Sequence, residues 1–250
     1  MLGAFITAAR TLTIFPIWGK DTENFSDALF WFPVVGILLG MMQAALGYFV
    51  SLSGWNELAA GFVVLGGIAL TRGMHADGLA DMADGFWGGQ TKDAVLRIMK
   101  DPNVGSFGVI ALSGMMLLKW IAVLKLIEFG AFEVIAAGVL LARWVQVLLA
   151  SVMPYARNEG GTAQSFVNGA GNLHIVVATL LTFFLLLLLF YPGVNLYKIV
   201  VVFSAAVIAG IMSGMLSYRK VGGVTGDVLG AGSEVTELFV WIVGAIYCRL

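Results

Sequence analysis

Charged residues are scarce in this sequence: Asp, Glu, Lys and Arg make up 12% of its 250 residues, against about 25% in soluble proteins. Hydrophobic residues make up 60%, which excludes a chain that faces water on all sides. The formal net charge of −1 provides no basic field for nucleic acid, so we expect no nucleic-acid partner. The lone cysteine, Cys248, excludes an intramolecular disulfide and a cysteine-based metal site. The composition therefore predicts a membrane protein.

Apolar runs follow one another along the chain, and most approach the length of about 20 residues that a helix needs to cross a bilayer. We predict an all-α, polytopic integral membrane bundle that forms one domain over residues 1–250. About seven transmembrane helices are expected, at 30–50, 58–71, 105–127, 132–153, 173–192, 197–217 and 235–248. The run from Leu2 to Pro16 carries Arg10 in its middle and lacks the cleavage signature of a signal peptide. We expect it to form an interfacial or re-entrant helix.

The longer polar segments, at 72–104, 154–172 and 218–234, fall on the same side as the N-terminus if seven spans alternate. Nine of the fourteen Lys and Arg lie there: Arg10, Lys20, Arg72, Lys92, Arg97, Lys100, Arg157, Arg219 and Lys220. Loops rich in Lys and Arg stay in the cytoplasm. We therefore expect a multi-pass protein of the cell inner membrane, surrounded by the lipid bilayer, with its active site facing the cytoplasm.

Three aspartates follow the second predicted span: Asp77, Asp81 and Asp84 have the i, i+4, i+7 spacing of one helical face. Neighbours at this spacing lie about 5–6 Å apart, and at an effective dielectric constant near 20 each pair would repel by about 3 kcal/mol. Bound Mg²⁺ would relieve this repulsion, because it prefers a few carboxylates together with substrate phosphate oxygens. His75, two residues before Asp77, is placed to bond a phosphate or assist proton transfer.

A solvated helix face or an N-terminal cap cluster is the alternative interpretation of these aspartates. It is disfavoured because the acids end an apolar span in a chain with only fifteen acidic residues, and ionisable groups at membrane depth are costly unless they are functional.

Two further segments contain groups that suit phosphate. Arg97, Lys100 and Asp101 precede a Pro-Asn turn and a Gly/Ser entry into the third span, where free backbone N–H groups bind anions. In Gly222–Glu234, Thr225 and Asp227 lie in a Gly-rich sequence whose amides can surround a phosphate, and Asp227 can add a metal ligand. An ordinary capped helix start and a flexible loop are the alternatives for these two segments. Arg143, near the middle of a span, is expected to face a polar cavity.

The chain resembles the cobalamin synthase family along essentially its whole length. Four separated blocks carry the resemblance: 75–85 (His-Ala-Asp-Gly-Leu-Ala-Asp-Met-Ala-Asp-Gly), 97–101 leading into 105–111, the span around Arg143 that ends in 154–157 (Pro-Tyr-Ala-Arg), and 222–231 (Gly-Gly-Val-Thr-Gly-Asp-Val-Leu-Gly-Ala).

The resemblance implies the final step of nucleotide-loop assembly. The adenosylcobinamide-phosphate group would pass from adenosylcobinamide-GDP to α-ribazole or its 5′-phosphate, with release of GMP and with Mg²⁺ as the cofactor. We expect Asp77, Asp81, Asp84 and Asp227 to hold metal, and we expect His75 or one of the three α-helical aspartates to take the hydroxyl proton. The expected substrate-binding residues are Arg97, Lys100, Asp101, Arg143, Arg157, Thr225 and Asp227. A homo-oligomer or association with other cobamide-assembly enzymes is left open.

Two other protein classes use aspartates at membrane helices. CDP-alcohol phosphatidyltransferases have an Asp-Gly-x-x-Ala-Arg motif, but here Ala80 comes one residue early and Asp81 follows it. An ion-coupled transporter should place its site near the bilayer midplane, whereas these aspartates lie at a predicted span end. We therefore rank both behind the transferase.

Overall fold

The computed structural model describes residues 1–191 and 195–249. Its helices are α1 (Leu2–Leu12), a 3-10 helix (Phe25–Trp31), α2 (Phe32–Ser51), α3 (Asn56–Leu70), α4 (Met74–Gly88), α5 (Lys92–Ile98), α6 (Ser106–Glu128), α7 (Phe132–Val152), α8 (Gln164–Asn168), α9 (Asn172–Leu189), α10 (Leu196–Val221) and α11 (Gly226–Arg249). The predicted all-α membrane bundle is confirmed.

Six helices in the described part of the chain are long and apolar enough to cross a membrane: α2, α6, α7, α9, α10 and α11. The helix α3 provides a seventh span if it is counted with α4, from which it is bent by 87°. The predicted spans other than the last match these helices to within four residues at each described boundary. The predicted end of the fifth span, residue 192, lies outside the described residues.

The chain turns sharply between α3 and α4. Arg72 and Gly73 both adopt left-handed backbone conformations, with φ of 55° and 70°, and the Arg72 guanidinium donates to the carbonyl of Arg10 at 2.9 Å. A left-handed arginine is unfavourable by roughly 1–2 kcal/mol, so the contact with the end of α1 helps to hold the turn. Because of this turn, α4 runs nearly perpendicular to α3.

The helix α7 forms the centre of the bundle and is buried along almost its whole length. The helices α2, α9, α10 and α11 pack around it. Large apolar side chains on the outer helices, such as Leu180, Phe184 and Ile208, remain exposed in the protein. In a bilayer these side chains would contact lipid, which is as apolar as they are.

The last span is longer than the predicted 235–248, because α11 begins at Gly226 and takes in most of the flanking Gly-rich segment. Only 222–225 lies between α10 and α11, so the Gly-rich segment expected as a loop is mostly helical. Small residues on both helices allow α11 to approach α4. A Cβ on Gly78 of α4 would lie 2.8 Å from the carbonyl oxygen of Asp227, and a Cβ on Gly230 of α11 would lie 3.2 Å from the Cα of His75. This close helix packing compensates for the low helix propensity of glycine.

Candidate active site

The structure confirms that Asp77, Asp81 and Asp84 lie on one helix, α4. Asp77 is exposed, while Asp81 and Asp84 are half-buried. Burial is the main reason that the pKa of Asp81 is raised to about 7, and the negative charges of Asp77 and Asp227 raise it further. The predicted carboxylate repulsion is therefore present, and Asp227 of α11 takes part in it.

Asp84 has a different environment from the other two aspartates. Its two carboxylate oxygens accept hydrogen bonds from the backbone N–H groups of Gly105 and Gly108, at 2.7 and 2.9 Å. These amides belong to the start of α6, whose free N–H groups and helix dipole favour a negative charge. A Cβ at either position would lie less than 3.0 Å from an Asp84 carboxylate oxygen, so a larger residue there would displace the carboxylate. Asp84 thus joins α4 to α6.

Asp227 is paired with Arg157. The Arg157 Nη2 donates to the Asp227 Oδ2 at 2.7 Å, and an isolated parallel bridge between Tyr155 and Val224 holds their two segments together. Thr225 is buried and donates to Asp227 at 3.2 Å, while its oxygen accepts from the N–H of Val228. Thr225 therefore caps α11 and orients Asp227.

Arg157 also borders a basic cleft, a cavity of about 370 Å³ that we define by Lys92, Arg97, Lys100, Arg157, Asn158 and Glu159. Its four cations outnumber its two acids, Asp93 and Glu159. Lys100 pairs with Glu159 at 2.9 Å, and both side chains are exposed. The structure therefore brings together the predicted residues Arg97, Lys100 and Arg157, in a cleft whose charge suits a diphosphate.

Asp101 does not share the basic cleft. Its carboxylate accepts from the backbone and side-chain N–H groups of Asn103, at 2.9 and 2.8 Å, and these hydrogen bonds lower its pKa. This arrangement is an Asx turn that precedes α6.

His75 lies on the other side of the aspartates. Its side chain is 1% exposed, and neither ring nitrogen has a hydrogen-bond partner among the described residues. It borders an apolar pocket of about 360 Å³, which we define by Leu12, Phe32, His75, Asp77, Phe166 and Asp227. The Asp227–Arg157 ion pair therefore connects this apolar pocket with the basic cleft.

Arg143 is not brought to the aspartates. It is 1% exposed and belongs to a buried ion cluster that also contains Lys119, Glu234 and Glu237. Lys119 bonds Glu234 and Glu237 at 2.7 and 2.6 Å, and Arg143 donates to the hydroxyl of Ser233. Arg143 borders a small cavity that Gln43, Lys119 and Glu234 also line, as expected. Its charge is paired inside the bundle, and it does not line the basic cleft.

The predicted metal ligands Asp77, Asp81, Asp84 and Asp227 do not form one metal-binding group in the described part of the chain. Among residues 1–191 and 195–249, no donor hydrogen-bonds to the Asp77 or Asp81 carboxylate, and no three His, Cys, Asp or Glu side chains form a metal-binding group by themselves. Mg²⁺ commonly takes one or two carboxylates and completes its shell with water and substrate phosphate. Asp77 and Asp81 suit that role, whereas the oxygens of Asp84 are already bonded to amides.

Sequence reasoning missed several residues around the site. Phe32 and Phe166 were hidden in ordinary apolar patterns, and no local signal identifies them as pocket residues. Glu234 and Glu237 did carry a signal, because two acids at i, i+3 spacing in an apolar span require buried cationic partners. Their partner is Lys119, over a hundred residues earlier in the chain.

Comparisons with known proteins identify the family of this chain. A sequence model of the cobalamin-5-phosphate synthase family matches residues 4–245. The chain is 71% identical to an adenosylcobinamide-GDP ribazoletransferase of Pelodictyon phaeoclathratiforme, over 100% of this chain and 99% of that protein. A protein of the same name from Chlorobium chlorochromatii is 65% identical over 98% and 97% of the two chains, and one from Desulforamulus reducens is 34% identical over 96% and 95%. No solved structure matches the chain.

Proposed function

The chain belongs to the cobalamin-5-phosphate synthase family, and we propose that it transfers the adenosylcobinamide-phosphate group from adenosylcobinamide-GDP to α-ribazole or its 5′-phosphate. A ribose hydroxyl of the acceptor attacks the phosphorus atom that is bonded to cobinamide, and the bond from that phosphorus to GMP breaks. The products are adenosylcobalamin, or its 5′-phosphate, and GMP. Neither a CDP-alcohol phosphatidyltransferase nor an ion-coupled transporter is favoured by these relatives.

One observation supports this chemistry most directly: the Asp227–Arg157 ion pair, at 2.7 Å, lies where the basic cleft meets the apolar pocket. Two substrates that react with each other must approach from adjoining spaces. The guanidinium of Arg157 can form two parallel hydrogen bonds with phosphate oxygens. Arg97 and Lys100 add positive charge to the same cleft, and this charge would balance the departing GMP.

We propose Asp77 and Asp81 as the principal ligands of Mg²⁺, with Asp227 beside them. A bound divalent ion would offset the negative charge of the diphosphate and orient it for attack. Asp84 contributes indirectly, since its bonds to the two amides of α6 fix the orientation of α4. We assign the hydroxyl proton to His75, because its ring borders the apolar pocket and both nitrogens lack partners within the described structure.

We also propose that the protein is a multi-pass protein of the cell inner membrane with this site at the cytoplasmic face. If the spans alternate, the N-terminal region, the segments 71–105 and 153–171 and the junction of α10 with α11 at 218–225 lie on one side. That side carries nine of the fourteen Lys and Arg. We further propose that the protein forms a homo-oligomer or associates with other cobamide-assembly enzymes. Sedimentation of the detergent-purified protein tests for the homo-oligomer.

The deciding experiment incubates purified protein with adenosylcobinamide-GDP, α-ribazole and magnesium chloride, and follows GMP by chromatography. We expect GMP and a cobalamin product in equal amounts, and we expect neither when α-ribazole is omitted or when the metal is chelated. GMP release without a cobalamin product would indicate hydrolysis and would contradict the transferase.

A further inference from the structure

The apolar pocket has two chemically different walls. Buried apolar side chains, among them Leu12, Phe32 and Phe166, form one wall, and His75, Asp77, Asp227 and the buried Gln146 form the other. No Lys or Arg of the described residues borders it. Its volume of about 360 Å³ is near the lower end of the roughly 300–1,000 Å³ that is typical of small-molecule sites. The pocket thus suits a compact, mostly apolar molecule with a polar edge.

The two substrates of the proposed function differ strongly in these properties. Adenosylcobinamide-GDP has a corrin ring with amide side chains, which is too large for this pocket, and a diphosphate, whose charge matches the four cations of the basic cleft. An α-ribazole molecule is a ribose joined to a flat dimethylbenzimidazole. The diphosphate suits the basic cleft, whose charge is net positive. Size and charge therefore separate the donor from the acceptor.

We infer that the apolar pocket is the acceptor subsite, and that it holds the benzimidazole base against Phe32 and Phe166 with the ribose directed to Asp77 and Asp227. This inference rests on the proposed function and adds the residues that select the acceptor base. Phe166 is supplied by the short helix α8 and makes a tilted contact with Phe32, with ring centroids 6.1 Å apart. Aromatic side chains of this kind pack well against a flat ring.

The polar wall supports the same assignment. The Oε1 atom of Gln146 and both ring nitrogens of His75 are buried without a hydrogen-bond partner among the described residues. Buried polar atoms are rarely left unpaired in folded proteins. Ribose hydroxyls both donate and accept hydrogen bonds, so a bound nucleoside can pair with these atoms after small side-chain rotations.

Two substitutions test the subsite by changing its size. Ala163 borders the pocket and is buried, so Ala163→Phe should fill it, whereas Phe166→Ala should enlarge it. The matched control is Phe184→Ala, because Phe184 is 56% exposed on α9 and faces away from the bundle interior. Each protein is assayed with α-ribazole and with the riboside of unsubstituted benzimidazole, and thermal unfolding in detergent confirms folding.

We expect Ala163→Phe to raise KM for α-ribazole by about tenfold or more, and to raise it less for the smaller riboside, because pocket discrimination of one or two methyl groups has this magnitude. Phe166→Ala should raise KM for both ribosides and reduce the enzyme's preference between them. The KM for adenosylcobinamide-GDP should stay within about twofold in both variants, because the donor lies elsewhere. The control, Phe184→Ala, should have the same KM values as the wild type.

The assignment would be refuted if a folded Ala163→Phe protein showed the same rise in KM for both ribosides. It would also be refuted if the KM for the donor rose and the KM for the acceptor did not. If Ala163→Phe does not fold, Phe166→Ala decides alone by the same criterion. A wild-type protein that releases no GMP from adenosylcobinamide-GDP would refute the proposed function instead, and calorimetric binding of α-ribazole alone would still test the pocket.

Discussion

Replacement of Asp81 by asparagine separates the role of this carboxylate in the reaction from its role in the fold. Asp81 lies between Asp77 and Asp84 on α4 and also senses the charge of Asp227. The Asp81→Asn variant keeps the shape of the side chain but removes a charge that we propose to hold metal. Loss of one preorganised electrostatic stabiliser typically lowers kcat by about a hundredfold or more, so we expect turnover to fall by at least that factor.

Stability should change in the opposite direction. Two ionised carboxylates at i, i+4 spacing, such as those of Asp77 and Asp81, repel each other by about 3 kcal/mol at an effective dielectric constant near 20. Because Asp77 is exposed and Asp81 only half-buried, solvent should reduce this repulsion to about 1 kcal/mol or less. In metal-free buffer, the variant should therefore melt at the wild-type temperature or about 2–4 °C above it, as expected for a chain of this length.

The assay measures GMP release over a magnesium titration, together with thermal unfolding in detergent. Glu128→Gln is the control, because Glu128 is a carboxylate that pairs with Lys125 at the end of α6, far along that helix from the site. Normal turnover of Asp81→Asn at low magnesium would refute the metal-binding role. A loss of folding together with turnover would refute the separation of the two roles.

Three further changes have distinct expected outcomes. Asp84→Asn should lower the free energy of unfolding by about 1–2 kcal/mol, because it weakens the cap of α6, and an unchanged melting temperature would contradict that cap. Lys119→Met should destabilise the protein by about 3–5 kcal/mol in thermal unfolding, because it leaves buried acids such as Glu237 without their main partner, and a neutral effect would show that the cluster is dispensable. In a background without the native cysteine, Lys92→Cys and Gln164→Cys should react with an impermeant thiol reagent from the cytoplasmic side only, and labelling from opposite sides would refute the topology.

The sequence by itself determined the fold class, most of the spans and the existence of the Asp-rich helix. These features depend on local sequence. A long run of apolar residues predicts a helix in the lipid, and the spacing of Asp77, Asp81 and Asp84 predicts one helical face. The family resemblance, confirmed by the comparisons, rested on short blocks that can be read in order along the chain.

Only the tertiary structure decided which side chains of these elements contact one another. It pairs Arg157 with Asp227, 70 residues later, places Arg143 in a buried ion cluster, and binds Asp84 to the start of α6. It also shows that α11 begins at Gly226, where close packing against α4 outweighs the intrinsic preference of glycine for loops. Each of these outcomes depends on partners distant in sequence, and neither hydropathy nor periodicity contains information about which distant side chains will meet.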